Sequence, residues 1–111
     1  MSEDVRSEHI QVLTTAGSEA EAQGIAAALV ERRLAACVQV VGPIESTYRW
    51  RGEVERAREW QCLAKTEARF YDEVEAAIRD LHSYEEPEVI AFPVSHGSRG
   101  YLAWVSANLS R

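Results

Sequence analysis

The stretch that decides the fold is residues 44–66, IESTYRWRGEVERAREWQCLAKT. Before Gly52, one parity carries Ile44, Ser46, Tyr48 and Trp50, and the other carries Glu45, Thr47 and Arg49. A period of two with the aromatics gathered on one face predicts a strand. After Gly52, Trp60, Cys62, Ala64 and Thr66 share a face against Gln61, Leu63 and Lys65. Arg51-Gly52 fits the centre of a two-residue turn, where glycine takes a positive φ without steric cost. The stretch therefore reads as a hairpin. A turn at 51–52 pairs residues whose numbers add to 103, which sets Cys62 opposite Val41 and Cys37 opposite Thr66. The two cysteines are then out of register, and both are expected to be buried, reduced thiols.

On the N-terminal side, HIQVLTTA (9–16) alternates as a first strand. Ser18 and Glu21 form an S-x-x-E capping box, and a helix is expected from Glu19 to Leu34 with Ala22, Ile25, Ala26 and Leu29 as its apolar stripe. Arg32 and Arg33 suit its last turn. The second strand, Ala36–Trp50, is interrupted by Gly42-Pro43, and proline in a ladder marks an edge, a bend or a bulge. The third strand is Glu53–Thr66. A second helix, Arg69–His82, follows from Phe70, Val74, Ala77, Ile78 and Leu81 at helical spacing. Glu88–Ser95 is a fourth strand, placed at an edge by Pro93. A last helix runs from Tyr101 to Leu109, with Tyr101, Trp104, Val105 and Leu109 on one side.

This order is βαββαβ plus a C-terminal helix, an α+β, ferredoxin-like sandwich with an extended hairpin between its second and third strands. Right-handed crossovers put both helices on one face, with the first and third strands central. Residues 9–111 make one domain, and the polar residues 1–8 are expected to be a disordered tail. The second strand alone would span roughly 50 Å at ~3.3 Å per residue. A compact chain of this size has a diameter of roughly 34 Å. The hairpin must bend at Gly42-Pro43 or leave the body. A bare edge carrying Tyr48, Trp50 and Trp60 invites aggregation, so a closed homo-oligomer that covers it is expected.

The chain has 111 residues, of which 46% are hydrophobic, enough for one packed core. Twelve basic and eighteen acidic residues leave a formal charge of −6, which disfavours nucleic-acid and anionic-membrane partners and leaves room for cations. No apolar run approaches the ~20 residues of a membrane span, and no export signal is evident, so a cytoplasmic location is expected.

Catalysis finds little support. There is no G-x-S-x-G, P-loop or G-x-G-x-x-G, and S-H-G-S-R-G at 95–100 reads as a turn. For metal ligands the densest group is His82 with Glu85, Glu86 and Glu88; one imidazole with carboxylates suits a weakly held divalent cation. Lys65 either pairs with a carboxylate such as Glu67 or lines a cleft. Tyr84 suits a subunit seam, and Trp50, Trp60 and Trp104 read first as packing or interface residues.

V-L-T-T-A at 12–16, L-A-A-C-V at 34–38, Y-R-W-R-G at 48–52, L-A-K-T at 63–66, H-S-Y-E-E-P-E at 82–88 and Y-L-A-W at 101–104 occur together and in order. With these motifs the chain resembles the CutA divalent-cation tolerance family. The resemblance implies a trimer of ferredoxin-like subunits with hairpins wrapped around neighbours, similar to nitrogen-regulatory signal proteins. It implies a part in tolerance of divalent metals, with copper as the ion proposed for some members, and no enzyme activity. Bacterial members argued to bind copper have a Cys where this chain has Thr14 and paired histidines where it has Leu81 and His82. His82 and Glu86 are the expected ligands of such an ion, with His9 or His96 as the alternatives; the ion is bound less tightly and is not needed for folding. The alternative is a trimeric sensor or scaffold that binds a small ligand or partner at intersubunit clefts. Tyr48, Trp50, Trp60, Lys65, Tyr84 and Trp104 are expected at that cleft or interface.

Overall fold

The computed structural model describes residues 8–110. Apart from Glu8, whose carbonyl accepts from the Ala68 N–H at 2.8 Å, the tail expected over residues 1–8 lies outside them. The elements are β1 (His9–Ala16), α1 (Glu19–Glu31), β2 (Cys37–Trp50), β3 (Glu53–Glu67), a 3-10 turn (Ala68–Phe70), α2 (Tyr71–Leu81), β4 (Val89–Pro93) and α3 (Arg99–Ala107). The strands form one antiparallel sheet in the order β2-β3-β1-β4. This is the ferredoxin-like arrangement, with β1 and β3 central. Ala22, Ile25 and Leu29 of α1 and Val74, Ala77 and Ile78 of α2 meet Ile10, Val12, Cys62 and Ala64 of the sheet in one buried cluster.

The helix ends differ from expectation in instructive ways. The Ser18 hydroxyl accepts from the Glu21 N–H at 3.1 Å, as a cap should. The Glu21 carboxylate, however, accepts from the Ser83 N–H at 2.7 Å and the Ser83 hydroxyl at 3.1 Å. It thus ties the loop after α2 to the start of α1. α1 stops at Glu31 because Arg33 adopts φ 58°. The Arg33 N–H donates to the Val30 carbonyl and the Leu34 N–H to the Leu29 carbonyl, a Schellman closure, so Arg32 and Arg33 lie beyond the last turn. α2 begins one 3-10 turn late, and Leu81, expected in its apolar stripe, is 36% exposed. α3 begins at Arg99, capped by Ser98, within the segment expected to be a turn. Of its stripe only Val105 and Leu109 are buried; Tyr101 and Trp104, both partly exposed, stack on each other at 5.7 Å.

The hairpin turns through Arg51 (φ 53°) and Gly52 (φ 84°). Two successive positive φ values give the twist that matches antiparallel strands. From Ile44–Glu59 to Trp50–Glu53 the pairs add to 103, as expected. From Val41–Gln61 inward they add to 102. β2 has one residue too many at Gly42-Pro43, a cis peptide and a bulge. The extra residue corrects the cysteine placement. Cys62 lies opposite Val40, is buried, and its Sγ donates to the Ala22 carbonyl at 3.4 Å. Cys37 lies opposite Lys65, on the other face, and is only half-buried. Gly42 is fixed by packing: a Cβ there would stand 2.4 Å from Cδ1 of Trp60. The hairpin does leave the body. The molecule measures 46 × 32 × 22 Å and its radius of gyration is 14.9 Å, against ~13 Å for a compact chain of this length.

Candidate functional site

A cavity of about 650 Å³ opens where the hairpin arm meets the loop after α2. Three elements build it. β1 brings Thr15; the arm brings Ser46, Tyr48, Trp50 and Glu59; the loop brings Tyr84, Glu85, Glu86 and Glu88. The loop is held in place from below by His82. Its Nε2 lies 2.6 Å from the Thr15 carbonyl, to which it donates, and its Nδ1 accepts from the Tyr84 N–H at 3.1 Å. Those two bonds define a neutral imidazole with its proton on Nε2. The His82 side chain is wholly buried, and the Tyr84 ring lies against it, tilted at 45° with the centroids 4.7 Å apart.

Tyr84 then reaches into the cavity. Its hydroxyl donates to Oε2 of Glu59 at 2.8 Å, and the Ser46 hydroxyl donates to Oε1 at 2.6 Å. Glu59 is 6% exposed. Burial raises the Tyr84 phenol well above its ordinary range, and the Glu59 carboxylate adds to the shift. The rim is charged on both sides. Arg51 approaches Glu85 at 3.7 Å and lies 5.4 Å over the Trp50 ring, and Arg79 donates to Glu86 at 3.2 Å.

The expected site residues thus separate. Tyr48, Trp50, Tyr84 and Glu86 line this cavity. His82 stands behind it with both ring nitrogens hydrogen-bonded. Trp60 lies on the inner side of the bulge against Gly42, and Trp104 is partly exposed on α3. Lys65 does not pair with Glu67: its Nζ donates to Gln39 at 2.6 Å, and it lines a second cavity of about 310 Å³ with His9, His96 and Tyr101. Among the described residues no three His, Cys, Asp or Glu side chains converge as metal ligands. A soft-metal centre does not fit. Thr14 is buried with its Oγ1 unbonded, and burial together with the Glu21 charge pushes the neighbouring Cys62 thiol up to about 11. A protonated thiol is a poor ligand.

Two features lie outside the sequence-based expectations. Glu59 is one, although its parity with Glu53 and Glu55 was visible in the sequence. The other is a cluster at the base of the hairpin. Glu67 accepts from Arg69 at 2.6 Å and from the Ser106 hydroxyl, which also lies 2.9 Å from Nε2 of His9. Acid and imidazole meet at the same hydroxyl, whereas in a nucleophilic triad the acid orients the imidazole from its far side. The cluster clamps α3 to the sheet.

The face of the sheet opposite α1 and α2 completes the picture. Leu13, Leu63, Val41, Ile90 and Phe92 share it by register, and the last two are nearly half exposed. These features define a class: a small ferredoxin-like domain with an open apolar sheet face and a projecting hairpin. The chain belongs to the CutA1 divalent ion tolerance family, whose model matches residues 10–108. It is 44% identical over 97 residues to the divalent-cation tolerance protein CutA of Thermus thermophilus, covering 87% of this chain and 94% of that one. It is 36% identical over 100 residues to CutA of Escherichia coli, covering 90% and 89%. The solved Thermus thermophilus structure superposes with a TM-score of 0.89 at 42% identity, over 92% of this chain and 99% of that chain. No helix among the described residues is long and apolar enough to cross a membrane.

Proposed function

We propose that this chain is a homotrimeric divalent-cation tolerance protein that takes divalent cations, copper among them, weakly and without a thiolate ligand. Family membership supports the cation-tolerance part. The open apolar face carries the assembly part: Val41, Ile90 and Phe92 are each more than 40% exposed and continue into Leu13 and Leu63. Apolar surface of that continuity marks an interface. The trimer is the closed form that the projecting arm, as a strap over a neighbour, favours. Light scattering of Phe92→Asp at micromolar concentration is expected to give monomers where the parent gives trimers. A parent that scatters as a monomer ends this part of the reading.

For the ion, the donors are His82 and Glu86. A cation at Nδ1 of His82 must displace the Tyr84 N–H, and one at Glu86 must compete with Arg79. Both competitions lower affinity, which is the physical reason for weak binding. Calorimetric titration with Cu²⁺ tests it. Glu86→Gln, at an exposed position, is expected to weaken the binding several-fold while leaving thermal unfolding unchanged. His82→Ala is expected to abolish it, with its fold checked separately because the ring holds the loop. Heats equal to the parent's in both variants remove the assignment.

A further inference from the structure

The cavity between the arm and the 84–88 loop has a chemistry that a small metal ion does not use. Its lining holds four carboxylates and no lysine, arginine or histidine. At its floor Glu59 is buried, yet among the described residues no cationic side chain is paired with it; it accepts only from the neutral hydroxyls of Ser46 and Tyr84. Buried carboxylates are ordinarily matched by a cation. A carboxylate has about four acceptor positions, so the two hydroxyls leave room for further N–H donors. The walls are aromatic. Tyr48 and Trp50 are each 43% exposed, and the Arg51 guanidinium over Trp50 shows that this ring already receives a cation on its face. At about 650 Å³ the space is that of a small-molecule site.

We propose that this cavity binds a linear aliphatic polyamine, with one ammonium on Glu59, the methylene chain along Tyr48 and Trp50, and a second ammonium at the rim carboxylates Glu86 and Glu88. The alternation of charge, apolar stem and charge matches the alternation of floor, wall and rim. A hydrated dication gains nothing from the aromatic walls, whereas methylenes gain contact there. The site goes beyond the cation-tolerance reading and stands whether or not Cu²⁺ binds.

Spermidine titrated by calorimetry into the full-length assembled protein, in metal-free buffer of fixed ionic strength, is the test. Saturable binding is expected, weakened about tenfold by Glu59→Gln and two- to threefold by Glu88→Gln. Mg²⁺ at matched charge is expected to displace little of it. Glu88→Gln changes an exposed side chain and keeps the test valid if Glu59→Gln misfolds, which far-UV circular dichroism reports. Three outcomes overturn the proposal: no saturable heat with the parent, as when a neighbouring copy's side chain fills the cavity; affinity unchanged in both folded variants; or displacement by Mg²⁺ as effective as by putrescine. Weakened spermidine binding in folded Glu59→Gln with the parent's Cu²⁺ affinity retained separates this site from the metal reading, because Glu59 is no donor to the ion.

Discussion

On the inner side of Gly42 the β2–β3 hairpin is core; on the outer side the same two strands are surface. Inward, Cys62, Ala64 and Thr66 are buried and Val38 and Val40 pack on the same cluster. Outward, nearly every side chain of Ile44–Glu59 meets solvent, Glu59 being the buried exception. The two halves also differ in register by one residue, which reverses the relation between parity and face in β2. On the arm the register puts Glu53, Glu55 and Glu59 on one face with Tyr48 and Trp50, and Arg49, Arg56 and Arg58 on the other. One hairpin thus combines a half that stabilises the subunit with a half whose faces are chemically sorted for something outside it.

The sharpest way to break this comparison is to truncate a large side chain in each half. Trp60→Ala removes a half-buried indole at the edge of the core and is expected to cost about 2–3 kcal/mol, below the ~3–5 kcal/mol of aromatic truncations in a core. Val54→Ala, at a position 63% exposed, is expected to stay within about 0.5 kcal/mol. Denaturant unfolding midpoints measure both, and equal losses would erase the distinction between the halves.

Next in size is the joint itself. Gly42→Ala pushes a Cβ into the Trp60 ring and is expected to cost about 1–3 kcal/mol. In a Trp60→Ala background the same change is expected to cost little, because the atom it strikes is gone. A double-mutant cycle reads the coupling. Additive losses would mean that Gly42 is required by its backbone and that Trp60 has no part in the bulge.

A smaller effect is expected at the base of the inner half, and it depends on pH. Burial on its own raises the carboxyl pKa of Glu67, but the Ser106 hydroxyl and the Arg69 guanidinium outweigh it, and the net shift is downward. A carboxyl whose folded value lies below its unfolded one stabilises the fold above the unfolded value, ~4.3. That stabilisation disappears as pH falls through the folded value. Urea midpoints between pH 6 and 2 are expected to fall less steeply for Glu67→Gln than for the parent. Parallel profiles would show that the clamp on α3 does not depend on this charge.

Much of this is legible in the sequence, for identifiable reasons. Alternation, the Arg51-Gly52 turn and the helical spacing of Phe70, Val74, Ala77 and Ile78 are local, and local periodicity decided the element order and the strand ranks. The length of β2 required that the arm bend at Gly42-Pro43 or leave the body. What stayed hidden was set by contacts distant in sequence. The bulge at Gly42 depends on Trp60, eighteen positions later, so proline marked an irregularity but not its size. The early end of α1 depends on Arg33 taking a left-handed conformation, which no arginine advertises. At the site, Tyr48, Trp50, Tyr84 and Glu86 are legible because aromatics and carboxylates stand out in a motif. Glu59 does not stand out, because a glutamate in a charged strand looks like surface, and only Tyr84, twenty-five positions on, donating to it marks it as buried.

The smallest change tests the register without touching stability. With one extra residue in β2, Cys37 lies on the face away from α1 and α2, opposite Lys65 and beside Tyr101 of α3, while Cys62 faces Ala22. Without it, both thiols would be expected in buried positions. Burial, and secondarily the Glu21 carboxylate, push the Cys62 thiol up to about 11. At pH 8 only about one Cys62 in a thousand is then thiolate, the reactive form. Iodoacetamide on the native Phe92→Asp monomer, whose sheet face is uncovered, is therefore expected to label Cys37 first, with Cys62 labelled only after denaturation, as peptide mass mapping reports. Comparable native rates at the two positions would mean that the inner half is not held in the 102 register, and the contrast between the halves of the hairpin would lose its structural cause.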